Sequence, residues 1–561
     1  MNIRVEQLNP TVGDLTGNKS LILDALKRAE KAEADLLILP EMTVTGYPVE
    51  DLLEEKSFRK ECYRVNRDII DSTGNTGLLF GSITPSEKKY GRKMFNSALL
   101  AHKKKLLGTV HKTLLPTYDI FDDLRYFEPN EEFECLEFNG VKLGVTICED
   151  IWYNENEVQY HTYSVNPALE LKKSGADVII NVSASPYTNT KHQNRVRMLQ
   201  NHAKNLDLPL LYSNQVGAHT DVIFDGDSMA IERTGEVVSK TKPFQPDFTD
   251  VILNVENGAV KPAQEDKHQP IYPGNKQERQ FEAIKLGLRD YMEKTGAADH
   301  VLFGLSGGID SALGCTLAVE ALSTDKVKAI TLPTEYSSEG SITDSQKLAE
   351  NLGIELIEVP IQSIFEDYRS ALKPVFKDST FGVAEENLQS RIRGTILMAY
   401  ANKFNSFLIA TGNKSEYAVG YATLYGDMNG ALSLIGDLYK TEVYEMAKWL
   451  NSSYYRKEVI PESIITKPPS AELRPGQKDS DSLPDYETLD ALLYQYLELQ
   501  KGKTELIDEG FEESMIDKIL RLVDYNEFKR NQAVPILKLS SKSFGSGRRW
   551  PIVQKWTANR S

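Results

Sequence analysis

From the first residue to about 255, short apolar runs alternate with stretches in which apolar residues recur every three or four positions. MNIRVEQL, DLLILP and GLLFGSITP read as strands, and the segments near residues 19–34 and 58–71 read as amphipathic helices between them. FECLEFNG and VKLGVTICED meet at Asn139-Gly140, a dipeptide suited to a two-residue hairpin turn, so antiparallel pairing joins the α/β rhythm and a mixed sheet is expected. The periodicity fails across NGAVKPAQEDKHQPIYPGNK, where Pro, Gly and charge concentrate. Residues 257–276 therefore read as a linker between two domains, 1–256 and 277–561. A second rhythm follows: a helix over about 277–294, HVLFGL, a helix from Asp310, KVKAITLP, a helix near 341–352, IELIEVPI and FLIATGN. Strands separated by helices in this way predict a doubly wound parallel sheet.

Composition narrows the field. A chain of 561 residues exceeds the roughly 250–300 at which one hydrophobic core stops growing, which leaves room for two active sites. With 40% apolar and 26% charged residues it has the make-up of a globular protein. A net charge of −16 and the absence of a basic stripe argue against a nucleic-acid partner, so any phosphate must be held locally. The basic stretch KSFGSGRRWPIVQKW reads as a surface tail or a phosphate contact. No apolar run of about 18 residues occurs, and MNIRVEQLNP does not have the layout of a secretory signal; a cytoplasmic protein with no membrane partner is expected. The four cysteines, Cys62, Cys135, Cys148 and Cys315, form no C-x-x-C pair and support neither a disulfide framework nor a structural zinc site.

Cys148 ends the apolar run GVTIC and is followed at once by Glu149 and Asp150, a strand edge that suits a nucleophile. Glu41 in LPE and Lys112 in HK lie just past apolar runs in the same manner. A carboxylate that accepts the thiol proton raises the reactive thiolate fraction, and an ammonium stabilises the oxyanion formed when the thiolate attacks an amide. LPE, HK and CED, in that order, resemble the Glu-Lys-Cys triad of the nitrilase, or carbon-nitrogen hydrolase, superfamily. The resemblance covers nearly all of the first domain and implies its αββα sandwich. Its glutamine-using members imply glutamine contacts at Tyr118, Ser185 and Lys191. Many relatives place Arg at the last position, and lysine offers a point charge where arginine offers a fork.

HVLFGLSGGIDSALGCTLAVEAL reads as strand, glycine turn and helix, but its turn matches neither G-x-x-x-x-G-K-[ST] nor G-x-G-x-x-G. Gly307 and Gly308 allow close backbone approach, the helix start presents N–H groups to phosphate, and Ser306 and Ser311 add hydroxyls. Asp310 would repel phosphate and suits Mg²⁺, a hard cation that prefers oxygen ligands. S-G-G-x-D-S resembles the pyrophosphate loop of ATP pyrophosphatases, an adenine nucleotide alpha hydrolase-like fold.

The two halves together, with TLPTEYSSEGS, EENLQSRIRG and IATGNKSEYAVGY, resemble the glutamine-dependent NAD⁺ synthetases. The resemblance implies ATP contacts at Ser306, Gly307, Gly308, Asp310, Ser311, Thr411, Lys440 and Ser470. It places deamido-NAD⁺ at Asn387, Arg391, Glu416 and Lys529, and Mg²⁺ at Asp310 and Glu416. The implied reaction is ATP-dependent amidation of deamido-NAD⁺ through an adenylate, the last step of NAD biosynthesis, releasing AMP, pyrophosphate and glutamate. Free ammonia in water would be protonated and diluted, so an internal passage between the two sites is expected from their fusion in one chain; a homo-oligomeric state is expected as well.

Overall fold

A computed structural model of the chain describes residues 1–153, 163–263, 274–377 and 379–556. It falls into two compact units, Met1–Gly274 and Asn275–Ser561.

The first unit holds two large sheets. One has seven strands in the order Val260–Pro262, Asp247–Leu253, Asn2–Gln7, Leu36–Ile38, Gly77–Pro85, Met94–His102 and Lys105–His111. The other has six, in the order Val237–Lys240, Met229–Ile231, Leu210–Asn214, Val178–Ser183, Val141–Ile147 and Leu136–Phe138. Both mix parallel and antiparallel pairs. The period-two alternation of the strands explains the layering. Leu36, Ile38 and Leu79 of the first sheet share one core with Val145, Ile147 and Ile180 of the second. Their neighbours Leu37, Leu78 and Phe80 face the other way, against Ile22 and Leu26 of the helix Leu15–Lys31 and Val65 and Ile69 of the helix Lys56–Asp71. On the second sheet Ile179, Leu210 and Tyr212 meet Met198 and Leu199 of the helix Lys191–Leu206. The result is an αββα sandwich. At the predicted hairpin, Asn139 and Gly140 both have positive φ, 50° and 79°, as the tight turn demands.

Within the expected linker, Val260–Pro262 is an edge strand paired antiparallel with Asp247–Leu253, so sheet structure continues past residue 256. Residues 264–273 of that linker lie outside the described residues.

The second unit is built on five parallel strands in the order Leu356–Glu358, Val327–Thr331, His300–Gly304, Ser406–Ala410 and Leu432–Ser433. The first strand in the chain is central; the next two add on one side and the last two on the other. That reversal opens a crevice beyond the carboxyl ends of His300–Gly304 and Ser406–Ala410, the usual place for a ligand in such sheets. Apolar faces of the helices Tyr486–Leu493 and Glu513–Tyr525 form a further core against Tyr417 and Val419. The basic C-terminal stretch divides: its first part is docked, with Arg548 paired to Glu527 at 2.7 Å and stacked over Trp550, while residues 551–556 are mostly exposed, as expected of a surface tail. Among the described residues no helix is long and apolar enough to cross a membrane.

Candidate active sites

In the first unit three strand ends converge. Glu41 follows Leu36–Ile38, Lys112 follows Lys105–His111 and Cys148 follows Val141–Ile147, and all three side chains are buried. Lys112 Nζ donates to Glu41 Oε1 at 2.8 Å and to Asp123 Oδ2 at 2.6 Å. An ammonium carries three protons, so one remains for a ligand. Glu41 is held as an acceptor by Asn96 Nδ2 at 2.6 Å and by the backbone N–H of Ala184 at 2.7 Å. Asp123 also accepts from the Tyr47 hydroxyl at 2.9 Å. Burial opposes the charge of Lys112, yet the carboxylates of Asp123 and Glu41 outweigh it and hold its pKa well above the lysine range.

Cys148 sits at φ 44°, a left-handed conformation that is uncommon outside glycine and that lifts the thiol out of the strand direction. Asp150 staples this turn to the Lys112 segment: its carboxylate accepts from Ile147 N at 3.0 Å, Thr113 N at 3.0 Å and Leu114 N at 2.7 Å. Burial pushes the Cys148 thiol well above its ordinary range, and Glu41 adds to the shift while Lys112 opposes it. That shift works against the enlarged thiolate fraction expected from the sequence.

Tyr118 donates to both oxygens of Glu149 at 3.0 Å, and Tyr163 donates to Glu149 Oε1 at 2.8 Å. Lys191 lies 5.0 Å from the Trp152 ring centroid and 5.6 Å from that of Phe121. Burial lowers its pKa, with Cys148 and Glu149 among the charges that counter the shift. Ser185 adjoins Ala184, and its buried hydroxyl has no hydrogen-bond partner among the described residues. The Lys191 ammonium and the Glu149 carboxylate thus both lie within electrostatic reach of the thiol. Asn96, Asp123 and Glu149 escaped the sequence reading; Glu149, next to the nucleophile, was the one with a visible signal.

In the second unit a cavity of about 290 Å³ lies at the sheet reversal, lined by residues 304–311, Thr331, Arg393, Thr411, Glu416, Lys440, Lys467, Ser470 and Asp479 among others. Gly307 has φ 75°, and a Cβ there would stand 2.3 Å from the Ser341 carbonyl oxygen, so only glycine fits. Ser306 and Ser311 hydroxyls lie 3.2 Å apart at the start of the helix Ile309–Leu322. Lys440 Nζ bridges Asp310 and Glu416, at 3.2 Å from the latter, while Asn413 Nδ2 donates to Asp310 at 2.9 Å. Burial raises the Glu416 pKa; Asp310 and Asp479 add to that and Lys440 opposes it. Ser470 lines the cavity and donates to the Gln477 carbonyl at 2.6 Å.

Asn387, Arg391 and Lys529 do not line this cavity. They converge instead on the segment 420–427. Asn387 Oδ1 accepts from Thr423, Arg391 Nε donates to the Leu424 carbonyl, and Lys529 Nζ donates to the carbonyls of Gly420 and Ala422 at 2.7 and 2.8 Å. Tyr421, Ala422, Gly426 and Asp427 of that segment do line the cavity. Arg393, Asn413, Lys467 and Asp479 were not singled out in the sequence, because each is one polar residue among many until the fold turns it inward.

A buried thiol with Glu and Lys on an αββα sandwich, followed by a glycine phosphate loop at the reversal of a parallel sheet, defines a two-part amidotransferase-ligase. The carbon-nitrogen hydrolase family profile matches residues 2–253 and the NAD synthase profile residues 280–533. The chain is 44% identical over 556 residues to a glutamine-dependent NAD(+) synthetase of Synechocystis, covering 98% of each, and 39% identical to one of Thermotoga maritima, covering 99% of each. The structure of glutamine-dependent NAD+ synthetase from Acinetobacter baumannii, solved with ADP, superposes with a TM-score of 0.77 at 35% identity, covering 100% of this chain and 99% of that one. The chain belongs to the glutamine-dependent NAD(+) synthetase family and is a ligase.

Proposed function

We propose that the two sites divide one synthesis between them: the first releases ammonia from glutamine, and the second uses ATP to amidate deamido-NAD⁺ to NAD⁺. The observation that carries the reading is the presence, in one chain, of a thiol set beside a Glu-Lys pair and a phosphate loop at a sheet reversal.

Glu41 takes the Cys148 proton as sulfur attacks the amide carbon. The third N–H of Lys112 then donates to the oxyanion; losing one such donor typically lowers the rate by about 10² to 10³. Lys191 and Ser185 take the α-carboxylate of glutamine, and Glu149, whose ordinary acidity is weakened by burial, takes the α-ammonium with Tyr118 alongside. As the intermediate collapses the C–N bond breaks and Glu41 returns the proton to the leaving nitrogen, which departs as ammonia; water, giving a proton to Glu41, then attacks the thioester, and the thiol is restored as glutamate leaves. A nicotinate carboxylate repels nucleophiles, so its attack on the α-phosphorus of ATP, with loss of pyrophosphate, creates the leaving group that ammonia displaces as AMP. Residues 306–311, Thr411, Lys440 and Ser470 hold ATP; Asn387, Arg391, Glu416 and Lys529 hold the dinucleotide.

Mg²⁺ fits the donor set. Asp310, Glu416 and Asp479 bring three carboxylates round the Lys440 ammonium in a cavity meant for a polyanion, and the buried Asp479 Oδ1 has no hydrogen-bond partner among the described residues. Bound there, the cation would neutralise phosphate charge. The reading includes a cytoplasmic location and a homo-oligomer, for which the exposed apolar side chains of Tyr368, Val375 and Val383 are available.

Cys148→Ala tests the division of labour. NAD⁺ formation from glutamine should disappear while formation from ammonium persists; loss of both in a folded variant would reject independent half-sites.

A further inference from the structure

Arg393 lies on the helix Val383–Lys403, where Ser390, Arg393, Gly394 and Leu397 line the cavity. That spacing is a single helix face. Arg391, two residues earlier, is turned about 200° around the helix and spends its Nε on the Leu424 carbonyl. Arg393 is tethered differently: its Nε donates at 3.0 Å to the carbonyl of Leu332, just past the strand Val327–Thr331, at the same sheet edge as the phosphate loop.

Arg393 also lacks a close counter-ion among the described residues. Lys112 has Glu41 and Asp123, Lys440 has Asp310 and Glu416, and Lys414 has Asp437 and Glu498. Among the described residues Arg393 makes no ion pair, and burial pushes its guanidinium down to about 10 with Glu472 only partly offsetting the loss. Arg393 is half-buried, and a partly desolvated cation without an anion is disfavoured in a way that a ligand anion relieves. The neighbouring carboxylate, Glu472, is already taken up by other donors. Its Oε1 accepts from Ser338 Oγ at 3.0 Å, Ser341 Oγ at 2.8 Å and Lys467 Nζ at 3.0 Å. Ser341 is also the residue whose carbonyl packs on Gly307 of the loop.

We propose that Arg393 binds the phosphate chain of ATP, completing with residues 306–311 the site that holds the nucleotide for transfer. The assignment rests on the reading of 306–311 as a phosphate loop. The dinucleotide substrate also carries a diphosphate, and the two sources are separable by direct binding.

Calorimetric titration of the full chain with α,β-methylene-ATP, with pyrophosphate and with deamido-NAD⁺, each in the presence of Mg²⁺, tests it on three variants. Arg393→Met keeps the apolar stem and removes the uncompensated charge, and should weaken the ATP analogue and pyrophosphate about tenfold or more. Its affinity for deamido-NAD⁺ should stay within about twofold, since loss of one phosphate contact acts only on the ligand that makes it. Arg393→Lys keeps the charge without the fork and should recover part of the loss. Wild-type affinity of Arg393→Met for the ATP analogue overturns the proposal, and so does a loss confined to the dinucleotide. Should Arg393→Met not fold, Arg393→Lys decides: ATP-analogue binding weaker by about threefold or more supports the assignment, and wild-type binding overturns it. Ser311→Ala separates the two readings. If it weakens the ATP analogue and Arg393→Met does not, only the Arg393 assignment fails; if neither does, the phosphate loop itself has been misread.

Discussion

At the scale of single residues, the first site works by placing ordinary groups where water cannot compensate their charge. Lys112 keeps its charge in a buried place because two carboxylates face it, and Cys148 keeps its proton because burial and Glu41 disfavour the thiolate. The neighbour of Lys112, His111, shows the same pressure without a partner of opposite charge. It stacks on Phe95 with centroids 4.0 Å apart, shares a hydrogen bond with Ser97 at 2.8 Å, and burial pushes its pKa from 6.5 down to about 4. The sign follows by linkage. Between pH 6.5 and 4 the unfolded chain binds a proton at this position that the folded chain does not. His111 therefore lends full stability above about 6.5, and that share is lost as pH falls towards 4. Thermal midpoints at pH 7 and pH 5 should lie closer together in His111→Asn, which keeps a hydrogen-bonding group and cannot titrate. An unchanged difference would show that His111 does not contribute.

At the scale of elements, both sites use strand ends, where the backbone leaves the ladder and side chains face a crevice. In the second unit the turn after His300–Gly304 must pass under Ser341. Gly307→Ala places a Cβ 2.3 Å from a backbone oxygen in a left-handed conformation, so the loop must shift. The expected outcome is loss of ammonium-supported NAD⁺ synthesis by about 10² or more, because misplacing a reactive geometry by an ångström costs that much. Glutamine hydrolysis by the first unit, measured separately, serves as the control for folding. Retained synthesis at saturating ATP would mean that the loop geometry is not needed.

At the scale of the molecule, the C-terminal stretch is part of the synthetase unit. Lys414, fully buried two residues before Glu416, meets Asp437 at 2.9 Å, Glu498, the Ser540 hydroxyl at 2.7 Å and the Lys542 carbonyl at 2.8 Å. Asp437 in turn accepts from the backbone of Leu539 and Ser540. One cation thus ties the helix Lys414–Val419 to three distant segments. Lys414→Met leaves two buried carboxylates without their cation and should destabilise the unit by about 3–5 kcal/mol. Urea unfolding followed by tryptophan fluorescence measures it; a change below about 1 kcal/mol would place the pair among those that contribute little.

The division of the chain into two rhythms, the hairpin at Asn139-Gly140, the Glu41, Lys112 and Cys148 strand ends and the glycine loop at 306–311 were all legible in the sequence. Each is local: a period of two or 3.6, a turn dipeptide, or a short run of small residues needs only its near neighbours to be recognised. The edge strand Val260–Pro262 was not, because three residues in a Pro- and charge-rich stretch become a strand only when Asp247–Leu253 supplies the partner. The same holds for chemistry. Asp123, Asn96 and Glu149 complete the first site, and Arg393 and Asp479 the second, through contacts between residues tens to hundreds apart in the chain. Sequence by itself determined which groups could react. Only the tertiary structure decided which of them are desolvated and paired, and those two conditions set whether a thiol keeps its proton, a lysine its charge and an arginine its need for a phosphate.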